Sequence, residues 1–188
     1  MKAEIRDGFK FRGGSPALDL AATVTGRLGP APRDLLASPA DLDRWLVAAD
    51  LAQAAAGATE GNLVQARSLR EALYRLALSR AEGAPLPDPD RELLNGYAAL
   101  PAAPPQLDAD GRARLSGDVR GLLAELAREG VSLLGGDFGH RIRQCEGPPC
   151  AVLFVDTSRK GDRRWCSMSA CGNKAKVAEY RKRERSAP

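Results

Sequence analysis

The chain has 188 residues, of which 44% are hydrophobic and 28% are charged, with a formal net charge of +4. This balance is typical of a globular protein and excludes a disordered or fibrous chain. No apolar run approaches the roughly 20 residues that a membrane span needs, and the charged segment Met1 to Arg12 does not resemble a secretory signal. We therefore expect a cytoplasmic protein without a membrane partner, whose thiols stay reduced.

The charge is distributed unevenly along the chain. From residue 140 onward there are twelve basic and five acidic side chains, so this segment carries +7 and the preceding residues carry −3. Such a separation predicts a polyanionic partner for the basic segment. A solvated basic helix face explains the same pattern equally well.

The first 139 residues predict a mainly helical domain with a short hairpin. Ser15-Pro16 and Ser38-Pro39 each combine a favourable N-cap with proline at the first helical position. Asp110-Gly111 is the strongest short signal for a β-hairpin turn. Apolar residues that recur every three or four positions predict the remaining helices. The expected helices cover residues 17–24, 39–49, 60–82, 90–100 and 117–134, and the expected hairpin covers residues 106–115.

Nothing in this first domain predicts catalysis. His140 is the only histidine of the chain, and a single histidine beside a predicted strand is more often structural than catalytic. The pair Gly13-Gly14 fits a turn better than a phosphate-binding loop. Carboxylates such as Asp19 and Glu71 have no distinctive pairing in the sequence. We therefore expect that the protein is not an enzyme.

The four cysteines form two close pairs in the pattern C-x4-C-x15-C-x4-C. Four thiolates satisfy the tetrahedral preference of zinc and leave no open position for water. The spacing therefore predicts one structural, non-catalytic zinc ion. Two disulfides or four free thiols are the alternatives, which the expected compartment and the paired spacing disfavour. The predicted ligands are Cys145, Cys150, Cys166 and Cys171.

The residues around these cysteines predict a small module over residues 140–188. Between the two pairs, residues 151–155 and 163–166 have the pattern of two strands joined by a turn. After Cys171, residues 172–185 predict a helix whose N-terminal dipole favours a thiolate. This order of elements resembles a treble-clef or zinc-ribbon module. We expect zinc to fold it because the segment lacks a core of its own.

Several sequence runs form a recognisable set around the ligands. They are Arg143-x-Cys145, residues 153–159, the run Arg-Arg-Trp-Cys-Ser-Met at 163–168, and residues 171–176. Together they resemble the CGNR zinc-finger proteins, bacterial proteins in which the finger follows an alanine-rich helical domain called ABATE. Weaker motifs at residues 13–20, 42–46 and 69–73 resemble that helical domain. The resemblance implies two domains, residues 1–139 and 140–188.

Two residues depart from the pattern of this family. Lys174 stands where the motif that names the family ends in arginine. Lysine keeps the positive charge but cannot make the bidentate contact of arginine to phosphate or guanine. Ala22 stands where the family often has asparagine after the Leu-Asp of the first helix. Any binding role of that asparagine is lost in this chain.

The resemblance implies a stress-related transcription regulator. We predict that the module binds DNA mainly through phosphate contacts, and that the helical domain senses a small-molecule effector or forms a homodimer. RNA binding through stacked aromatics and a zinc-stabilised protein–protein interaction module are the alternatives. We expect Phe154, Trp165 and Tyr180 to lie in the core. The predicted nucleic-acid contacts are Arg159, Lys160, Arg163, Arg164, Asn173, Lys174, Lys176, Arg181, Lys182 and Arg183.

Overall fold

The computed structural model describes residues 4–147 and 149–185, without the side chains of Lys182 and Arg185. It is mainly helical, with short antiparallel strand pairs. In chain order the elements are β1 (Glu4–Arg6), β2 (Phe9–Phe11), α1 (Pro16–Ala21), β3 (Val24–Thr25), β4 (Arg33–Asp34), α2 (Pro39–Ala48), α3 (Glu60–Glu82), α4 (Asp88–Ala98), β5 (Pro105–Leu107), β6 (Ala113–Leu115), α5 (Val119–Gly135), β7 (Ile142–Gln144), β8 (Leu153–Val155) and α6 (Asn173–Arg185).

Helix α3 is the centre of the hydrophobic core. Its apolar residues recur at helical spacing and are buried, and α3 packs against α1, α2, α4 and α5. Trp45 from α2 is fully buried in the same core and stacks with Phe11 from β2 at a centroid distance of 6.5 Å. Among the described residues, no helix is long and apolar enough to cross a membrane.

The helix starts expected at Ser15-Pro16 and Ser38-Pro39 are confirmed. Ser38 and Asp41 form a capping box, in which the Asp41 backbone N–H donates to Ser38 Oγ at 3.3 Å and the Ser38 N–H donates to Asp41 Oδ2 at 2.9 Å. Helix α1 ends at Ala21, earlier than expected, because the chain next forms β3 and pairs with β4.

One hairpin was expected in the helical domain, and the described residues of this domain form three. The hairpin β5–β6 is confirmed, whereas the pairs β1–β2 and β3–β4 were not predicted. The turn between β1 and β2 is Asp7-Gly8, with φ of 46° and 81°. It carries the same Asp-Gly signal that revealed β5–β6.

The prediction of a hairpin between residues 151–155 and 163–166 is wrong. Strand β8 pairs instead with β7, with Arg143 opposite Phe154, and residues 163–166 form no strand. Asp156 redirects the chain after β8, because its buried carboxylate accepts hydrogen bonds from the backbone N–H groups of Ser158 and Arg163 at 2.8 and 2.9 Å. The returning segment instead lies beside Cys145, where the Glu146 backbone N–H donates to the Arg164 carbonyl at 3.0 Å.

The β7–β8 hairpin belongs to the core of the helical domain. Ile142, Leu153 and Val155 are buried in the same hydrophobic cluster as α3. The Val155 backbone N–H also donates to the Gly13 carbonyl at 2.8 Å. The family resemblance divides the sequence at residue 139, but the hydrophobic core continues across that position.

Candidate metal centre and basic surface

The four cysteine sulfur atoms converge at one point. All four Sγ atoms lie within 4.8 Å of one another. The distances from Cys166 Sγ to Cys150 Sγ and to Cys171 Sγ are both 3.8 Å. A tetrahedron with zinc–sulfur bonds of about 2.3 Å has edges of about 3.8 Å. The cluster therefore has the dimensions of a tetrathiolate zinc site, and these cysteines can hold one zinc ion.

Local backbone geometry brings the two cysteine pairs together. Cys145 follows β7, and its N–H donates to the Val152 carbonyl at 2.9 Å. A Cβ atom on Gly147 would lie 3.0 Å from Cys171 Cβ, so a larger residue at this position would displace Cys171. Cys171 lies in a π-helical turn, Met168–Gly172, that leads directly into α6. The partial positive charge at this helix start favours a thiolate.

The sulfur atoms lie too close together to ionise independently. Hydrogen bonds from Cys150 and Cys166 lower the pKa of the Cys145 thiol. The interaction with Cys145 raises the pKa values of the Cys150 and Cys166 thiols, and burial adds to the increase. Four thiolates at these distances need a cation between them. The donor set therefore fits a divalent metal that prefers sulfur, as zinc does.

The Arg163 side chain contacts the backbone beside the metal centre. Its Nε donates to the Trp165 carbonyl at 2.8 Å and its Nη2 donates to the Cys166 carbonyl at 2.5 Å. Its guanidinium also lies 4.4 Å from the centroid of the Phe154 ring, which is fully buried against Cys145 and Cys166. This predicted nucleic-acid contact is half-buried and packs against the residues around the metal centre.

The other predicted contacts whose side chains are described are exposed, and they differ in whether they form an ion pair. Arg164 pairs with Glu146 at 2.6 Å, and Arg183 pairs with Glu179 at 2.7 Å. Asn173 is exposed, and its Nδ2 donates to the Ser169 carbonyl at 3.4 Å. Lys182 has a side chain outside the described part of the structure. Five exposed cations form no ion pair within the described residues: Arg159, Lys160, Lys174, Lys176 and Arg181.

The three aromatic residues of the module differ in burial. Phe154 is fully buried, as expected, and Trp165 is half-buried. Tyr180 on α6 is 61% exposed, so its expected core position is wrong. Val177, one turn earlier on the helix, is 48% exposed. Helix α6 therefore presents apolar as well as basic side chains to solvent.

The helical domain also contains a charged network that was not predicted from the sequence. Arg70 is buried and donates to both carboxylate oxygens of Asp34 at 2.6 and 2.9 Å. Glu71 accepts from Arg70 and from Arg27. The guanidinium of Arg27 lies 4.2 Å from the Tyr74 ring centroid. The adjacent Arg-Glu pair within a leucine-rich helix was the available signal, but its partners lie 36 and 44 residues away in the chain.

Comparisons with known proteins agree with the two-part organisation. Residues 14–137, most of the chain, match the ABATE family model, described as "Putative stress-induced transcription regulator". Residues 141–184 match the CGNR zinc finger. No curated protein matches the chain.

Proposed function

The chain belongs to the ABATE family and carries a CGNR zinc finger, and we propose that it regulates transcription by binding DNA through α6 and the turn at Arg159 and Lys160. The observation that supports this proposal is the group of five exposed cations without an ion pair among the described residues. Hereafter this group is called the free basic set, and its members are Arg159, Lys160, Lys174, Lys176 and Arg181.

Helix α6 lacks the features of a helix that packs in a core. Its sequence holds six basic and two acidic residues, and residues 176–181 are all exposed. A helix whose side chains are exposed on every side gains little from packing against its own chain. A polyanion would instead supply the missing counter-charges. Release of counterions from the nucleic acid would add to the affinity.

The arrangement supports affinity more directly than sequence choice. Lysine and arginine contacts to phosphate position a protein on the duplex without selecting bases. Base selection would require a side chain that reaches a groove edge, and Arg181 has the bidentate geometry that recognises guanine. Lys174 can contribute only a point charge. We therefore expect non-specific affinity to be a large part of the measured binding.

The free basic set is tested by a triple variant. We expect Lys174→Ala, Lys176→Ala and Arg181→Ala together to weaken binding to duplex DNA at least tenfold at low salt, since three phosphate contacts are removed. Fluorescence anisotropy with a labelled duplex measures the change. The control replaces Arg80, Arg112 and Arg120 with alanine, which removes the same charge from exposed positions of the helical domain. Equal loss in both variants would contradict a specific role for α6.

RNA binding is a second candidate function, favoured by the exposure of Tyr180. Single-stranded nucleic acids stack bases on aromatic rings, and each stacked base contributes about 1–3 kcal/mol. We expect Tyr180→Ala to weaken binding to single-stranded RNA more than to duplex DNA if this candidate is correct, whereas Tyr180→Phe retains binding. An effect of Tyr180→Ala on duplex DNA alone would contradict it.

The remaining predictions concern the whole protein. A homodimer, a small-molecule effector of the helical domain, a cytoplasmic location and the absence of enzymatic activity all stay predictions. In the proposal, the helical domain supplies the regulatory input and the zinc module supplies the nucleic-acid contact.

A further inference from the structure

A cleft separates strand β2 of the helical domain from the cysteine cluster. Lys10 and Arg12 line one wall, and Pro149, Cys150 and Cys171 line the other. Cys150 and Cys171 are the two partly exposed members of the cluster, whereas Cys145 and Cys166 are buried. The open side of the metal centre therefore faces two cations that come from the other end of the sequence.

The pattern of β2 explains why both cations point the same way. Side chains of an extended segment alternate between its two faces. Phe9 and Phe11 are buried in the main core, and Lys10 and Arg12 occupy the opposite face. The burial of the two phenylalanines thus fixes the direction of the two cations.

Neither cation has a counter-charge within the described residues. The ion pairs of the helical domain do not include Lys10 or Arg12, and no carboxylate lines the cleft. Arg12 Nε is buried without a hydrogen-bond partner. Buried polar atoms of this kind are rare and call for a physical explanation.

A zinc ion bound by the four cysteines would supply the missing charge. A zinc ion with four thiolates carries a net charge of −2, and ligand sets of this kind depend on the groups around them. We propose that Lys10 and Arg12 are the counter-charge of the tetrathiolate centre, so that the helical domain sets the zinc affinity of the finger. Both residues act through the field at the sulfur atoms and are positioning residues, not ligands.

The two walls of the cleft are held at a fixed separation. The Val155 N–H donates to the Gly13 carbonyl beside Arg12. Gly29 lies in the loop between β3 and β4, and Pro149 lies in the loop between β7 and β8. A Cβ atom on Gly29 would lie 3.0 Å from Pro149 Cβ, so these two loops are in close contact. The cations are therefore carried on the same rigid framework as the cysteines. Any displacement of β2 would weaken the hold on zinc.

Zinc affinity of the full-length protein tests this proposal independently of nucleic-acid binding. We expect Lys10→Ala together with Arg12→Ala to lower the affinity about tenfold or more, the scale of outer-shell effects on metal sites. Competition with a chromophoric chelator at low ionic strength measures it. The difference should shrink as salt is added, since screening weakens the field of the cations.

The matched control is Arg80→Ala together with Arg120→Ala, which removes the same charge from exposed helix positions away from the cleft. Unchanged affinity in the Lys10/Arg12 variant, or an equal loss in the control, would overturn the proposal. Lys10→Arg with Arg12→Lys keeps both charges and is expected to retain wild-type affinity. If the double alanine variant does not fold, Lys10→Gln alone is expected to lower the affinity severalfold, and no change would overturn the proposal.

Discussion

Asp19 is a single buried carboxylate that organises the entry into α1. Its Oδ1 accepts hydrogen bonds from the backbone N–H groups of Arg12 and Gly13, both at 2.7 Å. Burial raises the pKa of Asp19 to about 6, and Glu129 adds to the increase, although the two hydrogen bonds and the charge of Arg6 oppose it. The residue therefore holds the segment that carries Arg12 at an electrostatic cost.

The sign of this cost gives a pH-dependent prediction. The folded state binds the Asp19 proton more tightly than the unfolded state, whose pKa is near 3.8. The contribution of Asp19 to stability therefore falls as the pH rises through this interval and is constant above it. In Asp19→Asn the amide Oδ1 can still accept both hydrogen bonds, but the charge is absent.

We compare the unfolding free energy of Asp19→Asn with that of the wild type. The difference between them should shift in favour of the variant by about 1.4 kcal/mol as the pH rises from 5 to 7.5. Urea unfolding of both proteins across this range measures the difference. Loss of zinc at low pH affects both proteins and cancels in the comparison. A difference that does not change with pH would contradict the raised pKa.

At the scale of the element, α3 combines an apolar stripe with a buried charge. Arg70 is 5% exposed and is held by Asp34 and Glu71. Through Glu71, Arg27 and Tyr74 the network reaches Gln144 of β7, whose Nε2 donates to Tyr74 Oη at 3.3 Å. Helix α3 thus connects the β3–β4 hairpin to the start of the zinc module.

Removal of Arg70 should therefore destabilise the fold strongly. We expect Arg70→Ala to cost about 1.5–3 kcal/mol, because its hydrogen bonds to Asp34 and Glu71 are lost while Arg67 and Arg27 remain paired with these carboxylates. Arg80→Ala on the exposed surface of the same helix is the control and should change stability by no more than about 0.5 kcal/mol. Chemical denaturation measures both. Comparable effects of the two variants would show that the network has no special role.

Local signals determined how far the elements could be predicted. The segments with both a capping residue and helical periodicity, α2 and α3, were predicted almost to the residue. The cysteine ligands were also predictable, because their spacing is a local property. The partner of β8 was not predictable in this way. Its pairing with β7 spans the whole first cysteine pair, and the buried carboxylate of Asp156 turns the following segment away from β8.

At the scale of the whole molecule, the two family matches share the main hydrophobic core, while Phe154 packs with Cys145 and Cys166 in a second, smaller cluster. Strands β7 and β8 contribute Ile142, Leu153 and Val155 to the cluster built on α3. Cys145 and Cys150 lie in the segment that joins these two strands. Zinc therefore closes the loop of a hairpin that belongs to the helical core. Zinc binding at the metal centre should therefore stabilise the fold of the whole chain.

This coupling predicts a single unfolding transition that depends on zinc. Because a ligand that binds only the folded state stabilises it by mass action, added zinc should raise the midpoint for loss of the helical signal of the whole chain. Circular dichroism during heating, with and without a chelator, measures this. Two separate transitions, with only the smaller one sensitive to zinc, would contradict the shared core.

In the proposed function, zinc holds the free basic set in position for a nucleic acid. The most direct measurement is the affinity of the zinc-loaded protein for random duplex DNA across a salt series, repeated after Cys166→Ser with Cys171→Ser. The five cations of the free basic set predict a slope of log affinity against log salt between about −3 and −4.5. The cysteine variant should lose most of this binding. A zinc-loaded protein that does not bind duplex DNA at low salt, or a cysteine variant with the same slope, would contradict the claim.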